Sequence, residues 1–173
     1  MSCSKCNESK YPLHRAANTG HLDCFEYLLK ESKIDSKDAQ GSTPLHRAVN
    51  KGRYEIIKIL LEKRANVNAK DDEESTPLHI ACYRKDVKTV SNLISHGADI
   101  NCTDKEGATP LHKACFIGTK ELVELLIEKG SNVHARDSEG ATPLHSAAYN
   151  GFQEILTILI KAGSFSGVFL AYF

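Results

Sequence analysis

A threonine and a histidine recur together at a fixed spacing along the chain. The tetrapeptide Thr-Pro-Leu-His occupies residues 43–46, 76–79, 109–112 and 142–145, so each copy begins 33 residues after the previous one. Histidine is the commonest metal ligand and a frequent general base, and it titrates near neutral pH. Four such groups could form a row of catalytic or metal-binding sites, or they could be parts of a repeated scaffold.

The spacing favours the scaffold. If the copies stack as layers, their histidine rings lie about 10 Å apart, whereas a metal needs ligands that converge within about 2–2.6 Å of one point. A histidine at the third position of a helix can instead bond the threonine that caps the same helix. We therefore expect no metal, no cofactor and no catalytic residue here. Structural roles are assigned to Thr43, His46, Thr76, His79, Thr109, His112, Thr142 and His145.

Each copy also carries the local signals of a helix pair. Threonine followed by proline is typical of a helix start, with proline at the first helical position. A glycine six residues after the histidine, as at Gly52, is typical of a left-handed helix end. Apolar residues then recur at helical spacing, as in residues 54–63, and predict a second helix. A fifth, divergent copy begins at "YPLH", residues 11–14.

The repeated unit Asp-x-x-Gly-x-Thr-Pro-Leu-His-x-Ala resembles the ankyrin repeat over residues 7–162. The resemblance implies an all-α ankyrin-repeat solenoid of five repeats, in which helix-turn-helix pairs stack and β-hairpin loops project. It also implies that the second ring nitrogen of each histidine bonds backbone in the adjoining hairpin. The expected divisions are a flexible N-terminus at 1–8, a divergent first repeat at 9–37, repeats at 38–70, 71–103, 104–136 and 137–165, and an apolar tail at 166–173.

Composition narrows the function classes. The chain has 22 Lys and Arg residues and 22 Asp and Glu residues, so a nucleic-acid binder that relies on a strong basic field is not indicated. The first ten residues have no apolar core, and the longest apolar run, "VFLAYF", is far too short to span a bilayer. Six cysteines without a secretory signal fit a reducing compartment. We expect a cytoplasmic or nuclear monomer that contacts neither membranes nor nucleic acids.

The resemblance implies binding of another protein, because ankyrin arrays mostly act as protein-binding surfaces. Their hairpin tips and first helices line a concave face. Three aromatic residues lie four positions after a histidine, where the family usually leaves the side chain in solvent. Exposed aromatics are typical interface anchors, although these rings could instead pack on one another between repeats. The candidate partner-binding residues are Asn50, Lys51, Tyr83, Arg84, Phe116, Ile117, Tyr149, Asn150, Gln40, Ser42, Asp72, Glu73, Lys105, Glu106, Ser138 and Glu139.

Alternative functions rest on the N-terminal segment. Cys3 and Cys6 have the spacing of two zinc ligands or a redox pair, which indicates a metal- or redox-responsive regulator as one alternative. The six residues "SKYPLH", 9–14, resemble the opening of a proteasome-assembly chaperone, which is a second alternative. An enzyme is not expected, because the chain contains no Walker loop, G-x-S-x-G elbow or H-E-x-x-H motif.

Two residues of the third repeat depart from the pattern. Glu74 and Lys85 replace glycines of the other copies at positions expected to be left-handed. A residue other than glycine costs about 1 kcal/mol in that conformation, so this repeat is expected to be the least stable of the middle three. Residues 168–173 are apolar where a polar cap is expected. This tail either folds back on the last helix pair or is exposed.

Overall fold

The structure is a computed structural model that describes residues 9–165, and ten helices lie within that range. The chain divides between Ala98 and Asp99 into two compact units. Unit 1 contains three helix pairs, α1 (Pro12–Thr19), α2 (Leu22–Leu29), α3 (Pro44–Asn50), α4 (Tyr54–Glu62), α5 (Pro77–Tyr83) and α6 (Val87–Ser95). Unit 2 contains two pairs, α7 (Pro110–Ile117), α8 (Lys120–Glu128), α9 (Pro143–Tyr149) and α10 (Gln153–Phe165).

The all-α repeat fold expected from the sequence is confirmed, with every described helix belonging to a pair. The first helices of consecutive pairs pack against each other within each unit, α1 on α3, α3 on α5, and α7 on α9. Leu45 in α3 and Leu78 in α5 are fully buried, and burial of one leucine side chain contributes roughly 1.5–3 kcal/mol. A single pair has too little apolar contact of its own, so its neighbours in the unit complete the core.

Threonine and proline start the first helices as the sequence predicted. Thr43 has an extended backbone with φ −85° and ψ 167°, and Pro44 is the first helical residue. Proline has no N–H, and the first N–H groups of a helix have no helical acceptor, so proline removes no hydrogen bond there. The left-handed helix ends are also present at Gly20, with φ 86°, and at Gly118, with φ 77°. Gly163 differs, because it lies inside α10, which continues to Phe165.

The loops that precede the first helices are tight turns held by an aspartate. In unit 1, Asp38 Oδ1 accepts hydrogen bonds from the Gln40 N–H at 2.9 Å and the Ser42 N–H at 3.1 Å. The Asp38 N–H in turn donates to the Ser42 carbonyl at 3.0 Å. The same pattern recurs at Asp71 and, in unit 2, at Asp104 and Asp137. The hairpins are therefore single turns, and none of residues 9–165 forms a strand.

Successive hairpins approach closely within each unit, and glycine is required at the contact. Gly41 has φ 67°, and a β-carbon at this position would lie 2.8 Å from the backbone nitrogen of Asp72. The Asp72 N–H donates to the Gln40 carbonyl at 3.1 Å, and the Ser138 N–H of unit 2 donates to the Glu106 carbonyl at 2.9 Å. The hairpins are thus joined by backbone hydrogen bonds that a side chain at Gly41 would obstruct.

Within residues 9–165, three residues other than glycine adopt the left-handed conformation, and all three lie in unit 1. They are Arg64, Glu74 and Lys85, with φ values of 60°, 54° and 61°. Glu74 and Lys85 are the two departures that the sequence singled out, so both positions keep the left-handed backbone of the glycines they replace. Each carries the steric cost of a β-carbon in that region.

Replacing Lys85 by glycine should raise the free energy of unfolding by roughly 0.5–1 kcal/mol, because the strain that is removed exceeds the entropy that glycine adds to the unfolded chain. Urea denaturation followed by circular dichroism measures the change. Lys63→Gly is the matched control, since Lys63 has an ordinary φ of −86° and glycine there should lower stability. A loss of stability in both variants would contradict the strain at Lys85.

Candidate functional site

The histidine of the second helix pair joins its own helix start to the next hairpin. His46 Nδ1 lies 2.8 Å from Thr43 Oγ1 and accepts the Thr43 N–H at 3.1 Å. Its Nε2 lies 3.0 Å from the Ser75 carbonyl oxygen. A carbonyl only accepts hydrogen bonds, so Nε2 carries the proton and donates, while Nδ1 is unprotonated. Both ring nitrogens are therefore used inside the scaffold of unit 1.

The same geometry recurs in unit 2 at His112, whereas His145 keeps only the part that involves its own helix start. His112 Nδ1 lies 2.8 Å from Thr109 Oγ1, and its Nε2 lies 3.1 Å from the Ala141 carbonyl oxygen. His145 keeps the contact with Thr142 Oγ1 at 2.8 Å, but its ring is exposed. In unit 1, His79 bonds the cap of its own helix in the same way, with Nδ1 3.0 Å from the Thr76 hydroxyl.

The divergent first copy uses its histidine differently. Tyr11 stands where the other copies have threonine, and its side chain makes no capping hydrogen bond. His14 Nε2 instead lies 2.9 Å from the Ser36 carbonyl and 3.0 Å from the Ser42 carbonyl. The ring therefore still bonds the hairpin that follows it, while an edge-to-face contact with the Tyr11 ring, 5.8 Å between centroids, takes the place of the hydrogen bond to its own helix start.

Burial keeps these rings neutral. Desolvation lowers the pKa of His14, His46 and His112 below the ordinary value of 6.5, and the hydrogen bonds to backbone carbonyls only partly oppose it. Within residues 9–165, no three His, Cys, Asp or Glu side chains come together in a way that could hold a metal ion. The rings are placed to link backbone groups and not to share a ligand.

The cysteines of the repeats occupy packing positions. Cys82 in unit 1 and Cys115 in unit 2 are both fully buried. Burial raises the pKa of the Cys115 thiol to about 12, so this group is not a thiolate at neutral pH and is a poor nucleophile. Cys3 and Cys6, on which the metal or redox alternative rests, lie outside the described residues.

The three aromatic candidates are exposed at the ends of first helices. Tyr83 is 62% exposed in unit 1, and Phe116 and Tyr149 are 48% and 85% exposed in unit 2. Tyr83 and Phe116 directly follow Cys82 and Cys115, which are 0% exposed. The rings are thus held outside the core of each unit.

Other candidates are exposed at the hairpin tips and helix ends. Ile117 is half-buried, and its neighbours in the candidate set are open to solvent. The exposed members are Gln40, Asn50, Lys51, Asp72, Glu73, Arg84, Lys105, Glu106, Ser138, Glu139 and Asn150. These positions are available to a partner within their own units.

Ser42 is a correction to the candidate set. It is only 6% exposed, so it is not a hairpin-tip contact for a partner. Its N–H donates to Asp38, and its carbonyl oxygen accepts from Asp38 N–H and lies 3.0 Å from His14 Nε2. The residue faces inward because its backbone closes the turn and meets the histidine of the preceding pair.

One candidate bonds the neighbouring helix pair, and another lies close to its own neighbouring pair. Asn150 Nδ2 donates to the Phe116 carbonyl at 3.1 Å, which fixes Asn150 beside the Phe116 backbone in unit 2. In unit 1, the Arg84 guanidinium lies over Gly52, where a β-carbon would be 3.6 Å from Arg84 Nη2. These two residues therefore have scaffold contacts in addition to their exposed atoms.

The sequence reading missed an ion pair that braces the hairpins. Arg47 lies 2.6 Å from Asp38 Oδ2 in unit 1, and Lys113 Nζ lies 2.7 Å from Asp104 Oδ2 in unit 2. Burial alone would raise the pKa of Asp38, but hydrogen bonds from the Gln40 N–H and Arg47 outweigh it and lower the pKa. The sequence signal for this ion pair is the basic residue that directly follows the histidine, as at Arg47 and Lys113.

Replacing His112 by alanine should lower the free energy of unfolding by about 2–3 kcal/mol, because a buried ring and its bond to the next hairpin are both lost. The matched control is His145→Ala in the same unit, which removes an exposed ring with only the contact to its own helix start. Its effect should be clearly smaller by urea denaturation. Equal losses would show that the bond to the next hairpin is unimportant.

Stability should also fall as the pH drops below about 6.5, since the unfolded imidazoles bind protons there while the folded ones stay neutral until lower pH. Urea midpoints at about pH 7.5 and about pH 5.5 measure this effect. His112→Gln, which removes one of the buried imidazoles, should make the decrease smaller. A midpoint that stays constant or rises on acidification would contradict neutral histidines in the fold.

The chain matches a family model described as ankyrin repeats (3 copies) over residues 1–71 and again over residues 72–167. A comparison with curated proteins gave no match. No helix within residues 9–165 combines the length and apolar character that crossing a bilayer requires. Ankyrin repeats generally act as protein–protein interaction modules and are typically not enzymes. The two matches span 167 of the 173 residues, and the chain belongs to the ankyrin-repeat family.

Proposed function

We propose that this protein is a non-enzymatic adaptor that binds a partner protein through its first helices and hairpin tips, the elements that line the concave face of the ankyrin fold. The observation that carries the proposal is the exposure of one aromatic side chain at the end of each of three first helices, Tyr83, Phe116 and Tyr149. As parts of the same proposal, the protein is a monomer that acts in the cytosol or nucleus.

Unit 2 supports the proposal most directly. Phe116 and Tyr149 end two first helices that pack against each other, and the Asn150 side chain bonds the Phe116 backbone. Half-buried Ile117 adds apolar surface beside Phe116. Aromatic residues on rigid helix ends are favourable anchors, because they bury a large area and lose little conformational entropy on binding.

The same rings contribute little to the fold. A core aromatic is closed off from water, and its truncation costs about 3–5 kcal/mol. Tyr149 at 85% exposed and Tyr83 at 62% exposed do not meet that description. In the described residues no ring-to-ring contact joins any of the three aromatics to another ring. Packing of these rings on one another therefore does not account for them.

Placing a photo-crosslinking benzoylphenylalanine at Phe116 or at Tyr149 should capture the partner from cells that express the protein. The matched control places it at Glu124 or Glu128, which are exposed on the second helix of the same unit. Mass spectrometry identifies the captured chain. Phe116→Ala with Tyr149→Ala should then weaken binding of that purified partner at least about tenfold, with little change in melting temperature.

Two results would contradict the proposal. Equal capture from the second-helix positions would show that the partner does not use the first-helix side. A loss of about 3 kcal/mol or more in unfolding free energy for either alanine variant would show that the ring belongs to the core.

A further inference from the structure

Unit 1 carries unpaired basic residues at the turns between its first and second helices. We call Lys51, Arg53, Arg84 and Lys85 the basic turn patch, and all four are exposed. None of them forms an ion pair with a carboxylate among residues 9–165, whereas Arg47, Lys70 and Lys113 do. The patch therefore has no direct carboxylate partner among the described residues.

One guanidinium group of the patch is hydrogen-bonded to the preceding helix pair, and a second lies close to that pair's neighbour in the repeat. Arg53 Nε donates to the Asn18 carbonyl at 3.1 Å, and a β-carbon at Gly20 would lie 3.0 Å from Arg53 Cδ. Arg84 Nη2 lies 3.6 Å from the place that a β-carbon at Gly52 would take, so this guanidinium is close to the backbone directly after Lys51. A guanidinium has five N–H donors, and Arg53 uses one of them in a hydrogen bond with the described residues. The two terminal nitrogens of Arg53 keep their N–H donors in a fork of the kind that binds carboxylates.

Lys85 adds charge to this patch in a strained conformation. Its φ of 61° is that of the glycines at the corresponding turns, including Gly52 and Gly118. Backbone strain of this kind is concentrated at functional sites. No described residue pairs with the Lys85 ammonium, so the fold gains no contact there that would offset the strain.

Acidic groups near the patch have other partners or stand apart from it. Asp86 accepts the Thr89 N–H at 3.0 Å and the Thr89 hydroxyl at 2.7 Å, and it also bonds the Tyr54 hydroxyl. Glu55 lies in the first turn of α4, where a carboxylate interacts favourably with the helix dipole. Exposed Tyr83 directly precedes Arg84 and adds an apolar surface to the edge of the patch.

We propose that the basic turn patch binds an acidic segment of the partner protein. Carboxylates of that segment bond the Arg53 and Arg84 guanidiniums and the ammonium groups of Lys51 and Lys85, and an apolar side chain packs on Tyr83. This inference rests on the proposed function, because it assigns the chemistry of the segment that meets unit 1. Residues 1–98 carry 16 Lys and Arg against 13 Asp and Glu, which adds a weak attraction for an acidic chain.

A peptide fits this patch better than a nucleic acid does. Helix α5 has seven residues and is therefore about 10 Å long. At its other end lies the hairpin with Asp72, Glu73 and Glu74, all exposed. A phosphate backbone that continued from the patch toward the hairpin would meet like charge there, whereas a peptide can place its acidic residues over the patch alone. The basic surface is thus short and bounded.

The probe for the test is a fluorescein-labelled deca-glutamate peptide, followed by fluorescence anisotropy at low and at physiological salt. Lys51→Glu with Arg84→Glu should weaken its binding at least about tenfold and reduce the salt dependence, because close charge pairs are lost. The matched control, Lys58→Glu in α4 with Lys63→Glu directly after it, makes the same change in net charge on exposed residues and should weaken binding less than about twofold. The neutral variant, Lys51→Gln with Arg84→Gln, introduces no repelling charge. Its affinity for the peptide should lie between those of the wild type and the patch variant.

Several outcomes would overturn the inference. The first is that deca-glutamate shows no saturable binding to the wild type, and the second is that the patch and control variants weaken its binding equally. The third is that a ten-nucleotide single-stranded DNA binds more tightly than deca-glutamate and that the patch variant abolishes this binding too. Failure of the proposed function is separately visible. Capture of a partner by benzoylphenylalanine at Phe116 and Tyr149 tests the adaptor function alone. Capture of the same partner by benzoylphenylalanine at Tyr83, with deca-glutamate as the competitor, tests the acidic segment. If the partner is captured at all three positions and deca-glutamate does not reduce capture at Tyr83, the adaptor function stands and the acidic segment is wrong.

Discussion

The fold depends on a neutral imidazole that bonds two elements at once. His46 uses Nδ1 at the start of its own helix and Nε2 on the backbone of the following hairpin. The helix start and the next hairpin are therefore held by one rigid ring, which has no long flexible chain to order. Protonation would add a hydrogen to Nδ1, where the ring now accepts the Thr43 N–H. Burial disfavours the charged ring and preserves the arrangement.

Close approach of the hairpins sets a second constraint. Asp38 accepts two backbone N–H groups within its own turn, and the Gln40 carbonyl at the tip of that turn accepts the Asp72 N–H of the next hairpin in unit 1. Gly41 permits that contact because a β-carbon would meet the Asp72 backbone. Glu74 occupies the corresponding position in the next hairpin, with a left-handed φ of 54°. The backbone course is thus kept by its surroundings even where the residue disfavours it.

Sequence reasoning predicted the parts of the fold that local chemistry determines. Thr43 and Pro44 marked a helix start, and Gly118 marked a helix end, because capping and left-handed geometry involve only neighbouring residues. It failed where the outcome depends on distant contacts. Ser42 looked like a hairpin tip, yet its carbonyl meets His14 from the preceding pair.

The exposed aromatics show why recognition can vary on this scaffold without loss of the fold. Asn50, Tyr83, Phe116 and Tyr149 occupy the same position of the repeat, and their side chains are all exposed. The next position is not equally independent, since Arg84 covers Gly52 and Asn150 bonds the Phe116 carbonyl. A change at Arg84 therefore alters both the surface charge and a contact between helix pairs. Binding and stability are separable at the aromatic position, whereas they are coupled at the position that follows it. A charge change at Arg84 therefore has to be compared with its neutral counterpart before its effect is assigned to binding.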